Sequence, residues 1–572
     1  MKKRWVVNTP PAQADIEKLS SQINCGPVVA NLFLQRGIHS AEEAYAFFHP
    51  TLEMLHDPFL MKDMDRAVER LDQAIREEEK VMIYGDYDVD GTTAVALLYK
   101  YLKNKCKSPE YYIPDRYTEG YGVSIRAIDY AAESNIKLMI VTDCGVKAVE
   151  KVHYAKERGV DIIICDHHTP GDQLPEAVAL LDPQRNDCGY PYKWLSGCGV
   201  SFKLAQAYSI RHQFPMEELY VLLDLVCVSI ASDIVPITGE NRILAHFGLQ
   251  RLNNNPSLGL KTILEASGVC KNLSINDIVF RIGPKINAAG RVESGNKSVE
   301  LLIANDEKEA LRVSKSIHGF NDQRKKLDHD ITEEALEYIR QSESDQAQKA
   351  TVLYNPNWHK GVIGIVASRL TEHYYRPTVI LTKSNGFATG SARSVEGFDL
   401  YYAISQCSEL LENYGGHKYA AGLTLKIENI EAFKAKFQQI VSETITEEML
   451  TPQINIDAKI KLGEITPELH RTLQQFAPFG PNNSIPVFMT EAVTNFMGSR
   501  QVGRQNEHLK LVVVDDTRIC SDRSGIAFGM GEHFHRISKG EFFDICYTLQ
   551  ENEFMGKSDI QMMIRDIQFK EE

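Results

Sequence analysis

Four short clusters in this 572-residue chain gather side chains that hold cations and move protons: Asp86-Tyr-Asp88-Val-Asp90, Asp143, Asp166-His167-His168 and Asp233. Three of them follow apolar runs that read as buried parallel strands, Lys80–Tyr84, Leu138–Thr142 and Asp161–Cys165. In an open α/β sheet the ligand crevice lies beyond the carboxyl ends of the strands. So many carboxylates in one crevice repel each other and shift toward neutrality. A pair of divalent cations removes that conflict, and two-metal sites serve phosphoester chemistry. Mixed carboxylate and imidazole ligation favours Mn²⁺, with Mg²⁺ accommodated where waters fill the shell. The alternation of Asp86, Asp88 and Asp90 sends side chains to one side of an extended loop. A calcium hand is excluded, because counting from Asp86 places Leu97 where the bidentate glutamate belongs. A Cys144–His167 nucleophilic dyad is disfavoured, since nearby carboxylates oppose a thiolate.

Basic partners stand further along. Arg281-Ile-Gly-Pro-Lys-Ile-Asn287-Ala-Ala-Gly290-Arg291 joins guanidinium and amide donors to what reads as a glycine turn. Gly390-Ser391-Ala392-Arg393-Ser394 and Gly415-Gly416-His417 read as further turns, and Arg116 is another candidate. Small residues let the backbone approach an anion, and arginine forks phosphate oxygens.

The elements that must position these groups follow from periodicity. Residues 1 to 55 form a helical, proline-dotted lead-in. Between Lys80 and Leu181 strands alternate with helices at Thr93–Leu102 and Lys147–Arg158, which implies a parallel sheet with right-handed crossovers. Leu222–Ser232 is a largely apolar helix. Glu307–Ser342 is charged, with apolar residues at helical spacing: either a solvated bundle helix or a strut between two lobes. A second α/β lobe follows, with segments Ala350–Tyr354, Gly361–Thr371, Thr378–Thr382 and Glu431–Thr444. Five closing strands are expected at Ile454–Leu462, Leu509–Val514, Gly525–Gly529, Phe543–Leu549 and Gln561–Ile567, fitting a small oligonucleotide-binding barrel or, on pattern alone, a β-sandwich.

The length suits roughly three to four domains, and 43% hydrophobic residues suffice for several cores. The Met1-Lys-Lys-Arg start lacks an apolar signal core, and no run is long enough to span a bilayer. Eleven scattered cysteines without a Cys-x-x-Cys pair argue against a structural zinc or a disulfide frame and suit a reducing cytoplasm. The net charge of −14 does not exclude a nucleic-acid partner, because a carboxylate-lined metal site is itself acidic and phosphate binding depends on local basic patches.

At these residues the chain resembles the DHH phosphoesterases. Tyr84-Gly-Asp-Tyr-Asp-Val-Asp-Gly91, Val141-Thr-Asp-Cys-Gly145, Asp166-His-His168, Ser232-Asp-Ile-Val-Pro236 and Arg281–Arg291 look like their successive motifs. Trp358-His-Lys-Gly-Val-Ile-Gly-Ile-Val-Ala367, Ser391–Ser394 and Gly415–His417 look like the DHH-associated domain. With the terminal barrel, the likeness is to the branch of single-strand-specific 5′-to-3′ DNA exonucleases. One departure from small-substrate members is Tyr84, which stands where they carry a histidine, with Asp86 as its stand-in. The resemblance implies a lead-in at 1–55, a parallel-sheet catalytic domain at 56–305, a connecting helix at 306–345, an associated α/β domain at 346–450 and an oligonucleotide-binding barrel at 451–572. It implies two Mn²⁺ or Mg²⁺ ions on Asp88, Asp90, Asp143, His167 and Asp233, with Asp143 bridging and Asp86 assisting. His168 and Arg291 would hold the scissile phosphate, and Asp166 and Asn287 join them as catalytic residues. Ser391 and Arg393 would cap the 5′ phosphate, with Gly416, His417, Arg116 and Arg281 on the substrate. The implied partners are single-stranded DNA, a single-stranded-DNA-binding protein and a helicase. The rival readings are a phosphodiesterase for oligoribonucleotides or cyclic dinucleotides, and a non-catalytic replication scaffold.

Overall fold

The structure, a computed structural model, describes residues 3–268, 272–342, 348–515, 523–554 and 557–570. A five-stranded, wholly parallel sheet forms the first lobe in the order Glu110–Tyr112, Lys80–Gly85, Ile136–Thr142, Asp161–Cys165, Ala179–Leu181. Its strands are apolar on both faces because both are covered, as parallel sheets require. Val81, Ile83, Leu138, Ile140 and Ile163 face the helices Met64–Arg76, Val89–Leu102 and Gly197–His212. Their neighbours Met82, Met139, Val141, Ile162 and Ile164 face Ile125–Glu133 and Val149–Glu157. The register aligns Gly85 with Thr142 and Thr142 with Cys165. Asp86, Asp143 and Asp166 are therefore the next residue on three adjacent strands, in a row along the sheet's carboxyl edge.

The first acidic loop is shorter than the sequence suggests. The helix begins at Val89, with Asp88 as its N-cap accepting from Gly91 N at 3.0 Å, so Asp90 lies in the first helical turn rather than on an extended segment. Aspartate caps satisfy otherwise unpaired amides, and acids favour the positive helix start.

Glu307–Gln341 is one unbroken 35-residue helix, about 52 Å long at helical rise. Ala310, Val313 and Ile317 join the first lobe's core. Ile331, Ala335, Leu336 and Ile339 pack on Trp358, Val362 and Ile363 of the second lobe. It is a strut rooted in two cores. The expected boundary at 345/346 lies outside the described residues.

The second lobe carries a five-stranded sheet ordered Leu411–His417, Ala420–Leu425, Phe387–Arg393, Thr378–Ser384, Thr351–Tyr354. The segments containing Ser391–Arg393 and Gly415–His417 are thus strands and not turns, with Ser391 opposite Gly422 and His417 opposite Ala420. Small residues alternating buried and half-buried mimic a loop in composition while keeping a strand's period.

A closed barrel ends the chain: Phe488–Asn495, Phe543–Phe554, Lys557–Phe569, Arg523–Ala527 and His508–Val514 pair in turn, and Thr494 and Asn495 return to Val514 and Val513. The expected strand Ile454–Leu462 instead splits into Gln453–Ile456 and Ala458–Lys459. Gln453–Ile456 pairs with the N-terminal strand Arg4–Val7. The fifth barrel strand is Phe488–Asn495, bulged between Thr490 and Val493, where Ala492 adopts φ 55°. The N-terminal helices Gln13–Ile23, Pro27–Gln35 and Ala41–Phe48 share the barrel's core, with Phe33, Phe47 and Phe48 around Phe476. The two ends of the chain form one folded unit.

Candidate metal centre

His167 is the focus of the acidic row. Its Nε2 lies 3.6 Å from Asp90 Oδ2, 3.2 Å from Asp143 Oδ1 and 3.6 Å from Asp233 Oδ2. Asp90 comes from the first turn of its helix, Asp143 from a strand end, and Asp233 from the C-cap of Leu223–Ser232. Two groups close enough to hold a cation share His167: Asp143 with His168, and Asp90 with Asp233. Asp86 and Asp88 adjoin them. Burial first, then Asp88, holds the Asp86 carboxyl well above the usual range. Burial and the Asp90 charge likewise raise Asp88, Asp143 and Asp233. Two buried polar atoms, Asp86 Oδ1 and His167 Nε2, have no hydrogen-bond partner. Crowded, mutually repelling carboxylates with orphaned donor atoms fit divalent cations, which would neutralise the repulsion and fill the orphaned valences.

The acids are held from behind. Gly197 N donates to Asp90 Oδ2 at 2.7 Å, and Cys198 N and Ser229 Oγ donate to Oδ1 at 2.8 and 2.7 Å. The amides belong to the first turn of Gly197–His212, whose cap is Ser196. Asp143 sits at φ 58°, and a Cβ on Gly197 would lie 2.7 Å from Asp143 Cβ. Sequence reasoning passed over Ser196-Gly-Cys-Gly199, although a serine followed by glycines before an apolar run is a helix-start signal.

Asp166 points away from the cluster. It accepts from Val146 N at 2.9 Å, His167 N at 2.7 Å and His168 Nδ1 at 2.7 Å. Burial alone would raise its pKa, yet the His168 hydrogen bond and charge bring it down to about 2. In return, Asp166 outweighs burial and lifts His168 to about 9. Without a cation, this pairing favours the charged form of His168 at neutral pH, and Tyr121 Oη meets its Nε2 at 3.1 Å. Tyr84 is fully buried and donates to Gly122 O at 2.6 Å, outside the acidic row. Cys144 stays a thiol, because burial and Asp166 push its pKa well up.

Across the cleft stands an arginine group. Arg291 is drawn down to about 10 by burial and by the charges of Arg116, Arg324 and Arg393. Its Nη1 donates to Gly361 O at 3.0 Å, tying the two lobes. Arg393 Nη1 donates to Ser391 Oγ at 3.0 Å, and the Arg116 guanidinium lies 4.8 Å over the Tyr87 ring. Arg324, on the strut, was not anticipated. Asn287 lies one turn before Arg291 on the helix Gly283–Val292. Arg281 is not brought in. The segment expected to be a turn is helical, and Arg281 faces outward, paired with Asp277 at 3.6 Å. Gly416 and His417 do reach the site, sharing with Tyr87, Tyr121, Lys147 and His168 a cleft of about 730 Å³.

An acid-and-histidine row on a parallel sheet, facing an arginine-bearing lobe, defines a DHH phosphoesterase. Residues 80–230 match the DHH family, N-terminal domain, residues 347–443 the DHHA1 domain, and residues 456–566 the RecJ OB domain. The single-stranded-DNA-specific exonuclease RecJ of Bacillus subtilis is 37% identical over 99% of this chain and 71% of its own length. The crystal structure of RecJ in complex with Mn²⁺ from Thermus thermophilus superposes with TM-score 0.85 at 26% identity, covering 100% of this chain and 80% of that one. Its Mg²⁺ complex gives 0.79. The chain belongs to the RecJ family.

Proposed function

We propose that this chain is a divalent-metal-dependent exonuclease that removes nucleotides from the 5′ end of single-stranded DNA in repair and recombination. The observation that carries it is the convergence of Asp90, Asp143 and Asp233 on His167, opposite Arg291 and Arg393. Asp86, Asp88, Asp90, Asp143, His167 and Asp233 would hold Mn²⁺ or Mg²⁺. When bound, two such ions supply Lewis-acid activation of the phosphoryl centre. Asp90, braced by three donors, and Asp143, seated against Gly197, fix the anionic frame. His168, kept protonated by Asp166, donates to a phosphoryl oxygen, and Arg291 neutralises the charge that grows on it. Ser391 and Arg393 meet the terminal 5′ phosphate, with Arg116 beside them and Gly416 and His417 closing the wall. The strut fixes the gap between the lobes, which favours a single strand over a duplex. A single-stranded-DNA-binding protein and a helicase are the proposed partners, since the enzyme needs an exposed strand. Among the described residues no helix is long and apolar enough to cross a membrane, and the proposed location is the cytoplasm.

The test is digestion of end-labelled strands. With Mn²⁺, 5′-labelled single strands release label first, while duplex and EDTA-treated samples stay intact. Release from the 3′ end first, or equal duplex cleavage, overturns the reading.

A further inference from the structure

We propose that the cleft between the helical segment 278–292 and the strut is a second phosphate-binding site, holding the backbone of a single strand outside the metal centre. It rests on the single-strand reading above. Arg281, Lys285, His318, Arg324 and Lys325 line a recess of about 400 Å³ in which Asp322 is the one acidic lining residue. In a chain of net charge −14, five basic side chains around one recess stand out. Local basic patches of this kind are the footprint of phosphate binding.

The recess is also short of acceptors. His318 Nε2 and Arg324 Nε are shielded from water and have no hydrogen-bond partner. A buried donor left unpaired is costly, and Arg324 keeps one partner at the recess, Asn321 Oδ1, to which its Nη2 donates at 2.9 Å. Lys285 Nζ reaches Ser267 Oγ at 2.6 Å and Ala266 O at 3.3 Å, which anchors the ammonium at the rim. Burial and the neighbouring Lys325 charge pull Lys285 below its ordinary range, and burial and Lys285 pull His318 down. Asp322 opposes both shifts, and Arg281 keeps its pairing with Asp277 at the edge.

Phe280 joins this recess to a second groove. It is 75% exposed and lines both the basic recess and a groove of about 890 Å³. That groove is lined by Ile234, next to Asp233 in the chain, and by Pro452, Ile485 and Val487. A strand leaving the metal centre past Ile234 meets Phe280, where a base stacks, and lays the adjoining phosphates over Arg281, Lys285 and Lys325. Stacking on an aromatic rim beside a basic track is how single strands are held without sequence preference. An acidic peptide would meet the same charges. The continuity of Phe280 with the groove that Ile234, the neighbour of Asp233, also lines favours the strand.

The experiment compares the full chain with its Lys285→Gln/Lys325→Gln variant, both checked for equal thermal melting. Fluorescence anisotropy in EDTA follows binding of labelled single strands of about 30 and about 4 nucleotides across a salt series. Wild-type binding of the long strand tests the functional reading by itself; its absence sinks that reading. Given binding, the variant should lose roughly tenfold in affinity for the long strand, and its salt slope should fall by about 1.4, two contacts' worth for a single strand. Binding of the short strand, and turnover of it in Mn²⁺, should stay within about twofold. Phe280→Ala should weaken long-strand binding with the slope unchanged. An unchanged affinity and slope overturns the proposal, as does an equal loss on both lengths, which would place the lysines at the metal centre. Intact strand binding combined with lost binding of a poly-glutamate peptide assigns the recess to a protein partner and equally overturns it.

Discussion

Asp143 carries both the chemistry and the cost of the site. It is buried among Asp86, Asp88, Asp90 and Asp233, so without countercharge its charged form destabilises the fold, while in the proposed centre it is a cation ligand. An asparagine in its place would keep the shape, and asparagine tolerates the left-handed φ of 58° better than most residues. Asp143→Asn should therefore cut cleavage by more than tenfold, at least about 1.4 kcal/mol of barrier, while raising the melting temperature in EDTA. Melting curves with and without Mn²⁺ check this: the wild type gains strongly from the metal and the variant little. A variant as active as wild type would remove Asp143 from the centre. His168 gives a second test. Its pKa is raised to about 9 by Asp166, so in metal-free protein its contribution to stability is fully present below about pH 6.5, the ordinary histidine value, and is lost as pH rises through about 9. Urea midpoints should fall across that window in the wild type and stay nearly flat in His168→Gln. A midpoint that rises with pH in the wild type would contradict the pairing.

Between strands and helices, the seating of the acids depends on one close approach. The helix Gly197–His212 aims its first amides at Asp90 and presses Gly197 against Asp143. Gly197→Ala gains helix propensity, about 1 kcal/mol, yet its Cβ would sit 2.7 Å from Asp143 Cβ and 2.9 Å from its Cα. The expected result is a lower melting temperature, because a Cβ this close to the Asp143 backbone forces the buried site to shift, with activity down on the order of 100-fold and weaker Mn²⁺ binding, read by electron paramagnetic resonance. Full Mn²⁺ affinity would show that Asp143 does not need this seat. Such an approach is invisible in sequence, whereas the strands behind it were plain: KVMIY, LMIVT and DIIIC are apolar on both faces, and each is followed by an acid. The arginine and glycine segments have the composition of turns but form strands and helices. Gly390-Ser-Ala-Arg393 is a strand because its partners on either side, Ala420–Leu425 and Thr378–Ser384, come from elsewhere in the chain. Arg281 and Arg291 lie ten residues apart on helical turns, so only Arg291 meets Gly361 of the second lobe. Phe488–Asn495 was overlooked because its bulge breaks the period and Pro481 to Pro486 precede it with loop composition.

At the scale of the whole molecule, the proposed chemistry sits in one body, and the proposed strand holding is shared between that body's basic recess and the barrel. The five acids and the histidine of the metal centre lie before residue 234, whereas the barrel core is built from residues after 457 together with the helices between Ile16 and Ala44. The Arg4–Val7 strand pairs with Gln453–Ile456, and Trp5 Nε1 donates to Asp566 at 2.8 Å. Removing the barrel alone would expose Val29, Leu32 and Phe33, which are buried against it. A clean separation must therefore remove both ends, leaving roughly residues 50–452, and circular dichroism must show that the remaining lobes keep their helices. That protein should hydrolyse short saturating strands at a rate within about tenfold of the full chain, because its metal centre, strut and arginine group are intact. Its affinity for long strands should fall much further, and its salt dependence should be shallower, since phosphate contacts on the barrel release fewer counterions once it is gone. Deleting residues after 452 alone should instead give an aggregating protein, as the orphaned N-terminal helices present an apolar face to solvent. Should the double truncation bind long strands as tightly as the full chain with the same salt slope, the barrel would be a structural cap for the N-terminal helices, and strand holding would belong to the groove between Ile234, Phe280 and the strut.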